Sequence, residues 1–280
     1  MSKEIEKAVL VGDVHIGYNN KETGLSSNED SFKQFVEEKV VEIDPDVLVI
    51  NGDLIELWRS SFSDILVSKS KIFSKITKLQ TKHGIDIVPL VGNHDYRLIE
   101  TGRDIINEPE EIWAFQEEYF FTSGGKEFVA THGHQTDSVN RSRWQNSALC
   151  LTTEGVGRKL SNAWASALDR PILGWLIERD TIIGPSKHDS FAADMPLGAR
   201  PNLKSLSHIE NPGALSKEEN AGRFARSIAL LKQKYDEIII GAHTHAQEVQ
   251  EDEYYNAGDW LGNDAGYVLI EDGNVEVLDY

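Results

Sequence analysis

Residues Val91-Gly92-Asn93-His94-Asp95-Tyr96 close an apolar run (Ile85, Ile87, Val88, Leu90, Val91) with an amide, an imidazole and a carboxylate on consecutive positions. Four other runs end in a similar way. Residues 8–11 lead into Gly12-Asp13-Val14-His15, residues 47–50 into Asn51-Gly52-Asp53, and residues 128–131 into His132-Gly133-His134. Residues 238–240 run into Gly241-Ala242-His243-Thr244-His245. Short apolar runs bounded by glycine read as buried strands. Five strands ending in Asp, Asn or His line up candidate ligands outside the carboxyl ends of a sheet, where α/β sheets bind their ligands.

Between the first strands, Phe32, Phe35, Val36, Val40 and Ile43 recur at three-to-four spacing, the buried stripe of a helix stopped by Pro45. Ile65, Leu66, Ile72, Phe73, Ile76 and Leu79 define a second amphipathic helix, ended by Gly84. This alternation predicts β-α-β units and a largely parallel sheet. Asp13, Asp53, Asn93 and His132 follow one another at 40, 40 and 39 residues, but His243 comes 111 after His132. If one strand-helix unit takes about 40 residues, roughly 70 are extra. We read a single domain over residues 1–280 with a mainly helical cap inserted at about 138–217.

The insert contains Trp144, Trp164 and Trp175, with Leu149, Leu151, Leu160, Leu168 and Leu173 between them. Pro185, Pro196, Pro201 and Pro212 break its second half into loops. Ser216 and Glu219 form a capping box for the next helix, whose stripe is Ala221, Phe224, Ile228, Leu231 and Tyr235. Strands at 254–256, 267–270 and 275–278 follow, the last two joined by the hairpin signal Asp272-Gly273.

Composition narrows the classes. The chain has 280 residues, 26% charged, and a net charge of −18. Such an acidic surface repels a duplex phosphate backbone, so duplex nucleic acid is not the expected partner. The single cysteine, Cys150, excludes an intrachain disulfide. The charged start Met1-Ser2-Lys3-Glu4 lacks the apolar core of a signal peptide, and no apolar run is long enough for a membrane span. These features lead us to expect a cytoplasmic protein. They leave the oligomeric state open.

The order D-x-H, G-D-x-x-E, G-N-H-D, H-G-H and H-T-H resembles the calcineurin-like metallophosphoesterase superfamily. Its carriers are Asp13 and His15, Asp53 with Glu56, Asn93-His94-Asp95, His132-Gly133-His134, and His243 with His245. The resemblance implies a four-layer α/β/β/α sandwich with the cap over the metal end. It also implies two divalent transition-metal ions, Mn²⁺ first, with Fe, Zn or Ni as alternatives. By resemblance Asp13, His15 and His245 hold one ion, Asn93, His132 and His243 hold the other, and Asp53 bridges them. Two cations about 3.5–4 Å apart neutralise phosphoryl charge, generate hydroxide at neutral pH and stabilise the leaving oxygen. A mixed oxygen and nitrogen donor set favours transition metals over magnesium.

His94 follows a ligand, so its ring is expected to face the substrate, binding the phosphoryl group or protonating the leaving oxygen. The resemblance implies that Asp95 orients or acidifies that imidazole, and Glu56 is expected to support the ligands. His134 is assigned to the substrate-binding set, together with Arg141, Arg143 and Trp144 at the start of the cap. His83, His188 and His208 lie outside any motif. Residues 52–58 (G-D-L-I-E-L-W) and 255–260 (Y-N-A-G-D-W) resemble the UDP-2,3-diacylglucosamine pyrophosphohydrolase branch, in which a helical insertion helps to hold acyl chains. His94 departs from that branch, whose bacterial lipid A enzymes commonly have arginine there. The expected substrate is a small phosphate ester or pyrophosphate, nucleotide-linked or lipid-linked. The alternatives are a metallo-nuclease or cyclic-nucleotide phosphodiesterase and, more remotely, a non-catalytic scaffold of the same fold.

Overall fold

The computed structural model describes residues 3–20, 24–58, 60–99, 114–136, 225 and 228–280. The cap at 138–217, with Arg141, Arg143 and Trp144, lies outside the described residues, as does the capping box at Ser216.

Two sheets face each other. The first joins β2 (Lys7–Val11), β5 (Val47–Asn51) and β6 (Asp86–Leu90) in parallel, with β12 (Gly266–Glu271) and β13 (Asn274–Asp279) antiparallel beside β2. The second runs in the order β1 (Lys3–Glu4), β7 (Glu118–Ser123), β8 (Lys126–Thr131), β9 (Ile238–Ile240), β11 (Tyr254–Ala257) and β10 (Gln247–Gln250). A short pair, β3 (Asn19–Asn20) and β4 (Leu25–Ser26), stands apart.

Period-two alternation separates three cores. Val9 and Val11 of β2 and Leu48 and Ile50 of β5 point to the helical side, where Phe32, Phe35, Ile72 and Ile76 meet them. Ala8, Leu10, Val47 and Val49 point the other way, onto Phe121, Phe128, Ala130 and Ile240 of the second sheet. The far face of that sheet packs Val129, Ile239 and Tyr254 under Ile228 and Leu231 of the helical residues 228–234 and under Tyr235 just beyond them. Helix, sheet, sheet, helix is the four-layer sandwich expected. Each Val, Leu or Ile fully withdrawn from water in these cores is worth about 1.5–3 kcal/mol.

The first helical stripe forms as α1 (Glu29–Gln34), a π-helical turn and α2 (Val40–Ile43). Left-handed Asp44 closes it one residue before Pro45. The second expected helix divides at Lys69 into α3 (Phe62–Ser68) and α4 (Ser70–Lys78). At the break the Ser68 hydroxyl donates to the carbonyl of Asp64 (2.7 Å), a back-bond that bends helices. The third spacing of 39 residues also hides a hairpin. β7 pairs antiparallel with β8 across Gly124-Gly125, both at positive φ, where a strand-helix unit was expected. Among the described residues no helix is long and apolar enough to cross a membrane.

Candidate metal centre

β2, β5, β6, β8 and β9 all deliver their last residues to one end of the sandwich. Backbone pairing continues past two of them. His15 N–H donates to the Asp53 carbonyl (2.8 Å), Ile16 N–H to Leu54 (2.8 Å), and Glu56 N–H back to Ile16 (3.0 Å). Five ligand candidates occupy the left-handed region, at φ 52° for Asp13, 51° for His15, 50° for Asp53, 69° for His243 and 56° for His245. Asp, Asn and His tolerate this region better than other side chains, and such clusters mark functional sites. Gly92 is required by contact: a Cβ there would lie 2.1 Å from Asp53 Oδ1. Gly52, at φ +83°, lies so close under His132 that its Cβ would meet the ring at 2.6 Å.

Among the described residues three groups of donor atoms lie within 4.8 Å of one another: Asp13 with His15 and His245, Asp53 with His132 and His243, and His15 with Asp53 and His94. The Nε2 atoms converge on two carboxylate oxygens. Asp13 Oδ1 lies 3.8 Å from His15, 3.9 Å from His132 and 3.7 Å from His245. Asp53 Oδ2 lies 3.8 Å from His15 and 3.2 Å from His132. Donors each about 2.0–2.2 Å from a common ion are separated by distances of this order. Asp13 Oδ1, Asp53 Oδ2, His15 Nε2 and His132 Nε2 are buried without a hydrogen-bond partner, a costly arrangement unless an ion satisfies them. Asn93, just after β6, is buried as well.

The remaining atoms of these ligands are tied down. Asp13 Oδ2 accepts from His243 N–H (2.7 Å), and Asp53 Oδ1 from His94 N–H (2.8 Å). His132 Nδ1 donates to the Asn51 carbonyl (3.0 Å). His245 Nδ1 meets Asp259 Oδ2 at 3.0 Å, and His15 Nδ1 lies 3.3 Å from Glu56 Oε2. Thr244, between the two histidines, takes a bond from Asn256 Nδ2 (3.0 Å).

Electrostatics agrees with the geometry. Burial alone would raise the Asp13 carboxyl, but His245, His15 and His132 bring it down to about 2. Asp53 is held well below the carboxylate range by His132 and His94 against the same burial penalty. Burial would lower the imidazoles, yet Asp53 lifts His132 to about 9, and Asp13 and Glu56 lift His15 well above its ordinary value. Ionised carboxylates here attract positive charge strongly enough to protonate buried rings. The donor set therefore fits divalent cations, which would displace those protons.

The family model for calcineurin-like phosphoesterases matches residues 7–247. The chain belongs to the calcineurin-like phosphoesterase family. It is thus a metal-dependent phosphoric ester hydrolase. No curated protein matches it.

Within this calcineurin-like phosphoesterase the structure gathers Asp13, His15, Asp53, Asn93, His94, His132, His134, His243 and His245 at one end. One expected role changes. Asp95 does not orient His94; its carboxylate accepts from the backbone N–H groups of Gly92 (2.7 Å), Leu54 (2.8 Å) and Ile55 (3.4 Å). Adjacent side chains on a tight turn diverge, and Asp95 staples the loops after β5 and β6 to each other. Burial and the neighbouring Asp53 push its carboxyl up to about 7, against the pull of those amides. His94 Nδ1 instead meets Glu56 Oε1 at 3.0 Å. His134 is buried on a short 3₁₀ turn, its ring 5.5 Å from that of His132 and 5.6 Å from that of Tyr96.

Two contributors were quoted in motifs without a role: Asp259, behind His245, and Trp58, whose indole stacks on His94 at 3.9 Å. An orienting acceptor behind a ligand histidine is a general requirement, and Asp259 just after β11 was the sequence signal for it.

Proposed function

We propose that the chain is a dinuclear phosphoesterase that hydrolyses a phosphoester or pyrophosphate bond in a small nucleotide-linked or lipid-linked substrate. Asp13, His15 and His245 would hold one divalent ion, Asn93, His132 and His243 the other, and Asp53 would serve both, with Mn²⁺ the first choice. The observation that carries this reading is the convergence of three Nε2 atoms on Asp13 Oδ1 and of two on Asp53 Oδ2, all buried at one sheet end. Bound there, the ions would neutralise phosphoryl charge, lower the pKa of water and stabilise the leaving oxygen.

His94 meets the substrate. Glu56 holds its Nδ1, which turns Nε2 away from that carboxylate to bind a phosphoryl oxygen or protonate the leaving one. Arg141, Arg143 and Trp144 of the inserted cap, with His134, would add contacts to the rest of the substrate. The resemblance of residues 52–58 and 255–260 supports the nucleotide-linked, lipid-bearing class, while a histidine at position 94 supports a leaving group that needs a proton.

The test is a hydrolysis screen with added Mn²⁺ that spans monoesters, diesters, cyclic nucleotides and nucleotide-sugar pyrophosphates. Turnover of at least one class, abolished by chelation and restored by metal, is the expected result. Full activity after exhaustive chelation refutes the proposal.

A further inference from the structure

An indole lies against the face of the His94 ring. The Trp58 and His94 centroids are 3.9 Å apart with planes 21° from parallel, within ordinary stacking geometry. The chain between Glu56 and Trp58 wraps this imidazole. Glu56 Oε1 meets its Nδ1 at 3.0 Å, Leu57 N–H donates to the His94 carbonyl (3.2 Å), and Trp58 N–H donates to Glu56 Oε1 (3.2 Å). Trp58 Nε1 then donates to the carbonyl of Asn93 (2.9 Å). The ring of His15 stands edge-on to His94, 4.7 Å away and 89° from its plane.

We propose that Trp58 is a positioning residue: its indole fixes the plane of the His94 imidazole and so aims Nε2 at the phosphoryl group. Glu56 restrains one nitrogen of the ring, at its edge. A flat partner against its face resists tilting of the plane, and the bond from Nε1 to Asn93 fixes the partner itself. The spacing follows from this: a carboxylate for the ring edge and, two residues on, an aromatic for its face. Trp58 is half-buried against the helical core, so its position is set by packing before any substrate arrives.

The inference rests on the reading that His94 meets the substrate, and the experiment separates the two. Steady-state kinetics of the Mn²⁺-loaded full chain on 2-glycerophosphate, an alkyl ester whose leaving oxygen needs a proton, would compare Trp58→Ala, Trp58→Leu, Trp58→Phe, His94→Ala and the double variant Trp58→Ala/His94→Ala. Misaiming a reacting group by about 1 Å costs up to about 100-fold. We expect Trp58→Ala and Trp58→Leu to lower kcat by about 10- to 100-fold, with KM and bound metal unchanged. Trp58→Phe, which keeps the flat face, should recover most of that loss. In the His94→Ala background Trp58→Ala should add nothing.

Equal losses from Trp58→Ala with and without His94 would overturn the proposal. So would a Phe variant as impaired as Ala, which would assign the effect to the Nε1 bond. Trp58→Leu keeps bulk in the core, so it decides the matter if the Ala variant does not fold. Unchanged turnover in His94→Ala alone would instead refute the role of His94 itself. An independent readout is the His94 Cε1–H proton resonance of the Zn²⁺-loaded protein, identified by its loss in His94→Ala. The indole ring current shifts it, so it should move in Trp58→Leu more than in Trp58→Phe; an unmoved resonance counts against the stack.

Discussion

The two sides of the metal centre are backed differently. Behind His15 and His245 stand carboxylates, Glu56 at 3.3 Å and Asp259 at 3.0 Å. Behind His132 stands the neutral carbonyl of Asn51 at 3.0 Å. In the proposed assignment the first side also carries its own acid, Asp13, and the second the amide of Asn93. A carboxylate behind an imidazole makes it a stronger donor and fixes its orientation. Affinity on the first side would thus be spread over several charges, while the second would depend on the shared Asp53.

The largest effect is expected where the two sides meet. Asp53→Asn removes the one charge both use, so turnover should fall to background and at least one ion should be lost, with thermal melting still cooperative. Metal analysis of the purified variant checks this; two retained ions with undiminished turnover would end the dinuclear reading.

Next comes His94, which in the proposed arrangement belongs to neither side. His94→Ala should keep both ions and lose about 10²–10⁴-fold in turnover of alkyl esters, and much less for esters with acidic leaving groups. Its donor atom nonetheless groups with those of His15 and Asp53. Loss of one ion from the variant would assign His94 to the first side and redraw the boundary.

A smaller and selective effect tests the backing itself. Asp259→Asn should weaken one of two Mn²⁺ binding steps by about 10- to 100-fold and leave the other unchanged. Calorimetric titration of the chelator-treated protein resolves this. Equal weakening of both steps would mean that the carboxylates behind the rings do not distinguish the sides.

The smallest effect is on the metal-free fold. His132 is raised to about 9 by Asp53 against the opposing effect of burial, from an ordinary value near 6.5. A raised folded pKa stabilises the fold fully below the unfolded value and loses that contribution as pH climbs through the folded one. His15 acts in the same sense. In chelator, the melting temperature should therefore fall between about pH 6.5 and 9.5, while metal affinity rises as fewer protons compete. A flat or rising melting temperature over that range would contradict protonated rings.

The candidate ligands were legible in the sequence because each is local to a strand end, so apolar run, glycine and donor sit within a few residues. The two facing sheets were legible in part, from Asp272-Gly273 and the parallel alternation. β7 escaped because Glu118–Ser123 lacks the simple apolar run of its neighbours, although Gly124-Gly125 marked its turn. The bend at Lys69 depended on a hydroxyl's choice of carbonyl, which periodicity does not encode. Asp95 shows a different obstacle. Adjacency along the chain suggested a partner for His94, but the backbone turn gave that place to Glu56, 38 residues away. Trp58 and Asp259 act only across strand ends that the fold brings together.

The backbone ladder beyond β2 and β5 has a consequence for exchange with solvent. The amides of residues 15, 16 and 56 are hydrogen-bonded as though still within the sheet. They should take up deuterium at the pace of global opening, not at the pace of surface loops, whether or not chelator is present. A frame that outlasts its ions can be emptied and refilled without refolding. The metal a molecule carries is then set by which cations surround it over its lifetime, not by the one present when it first folded.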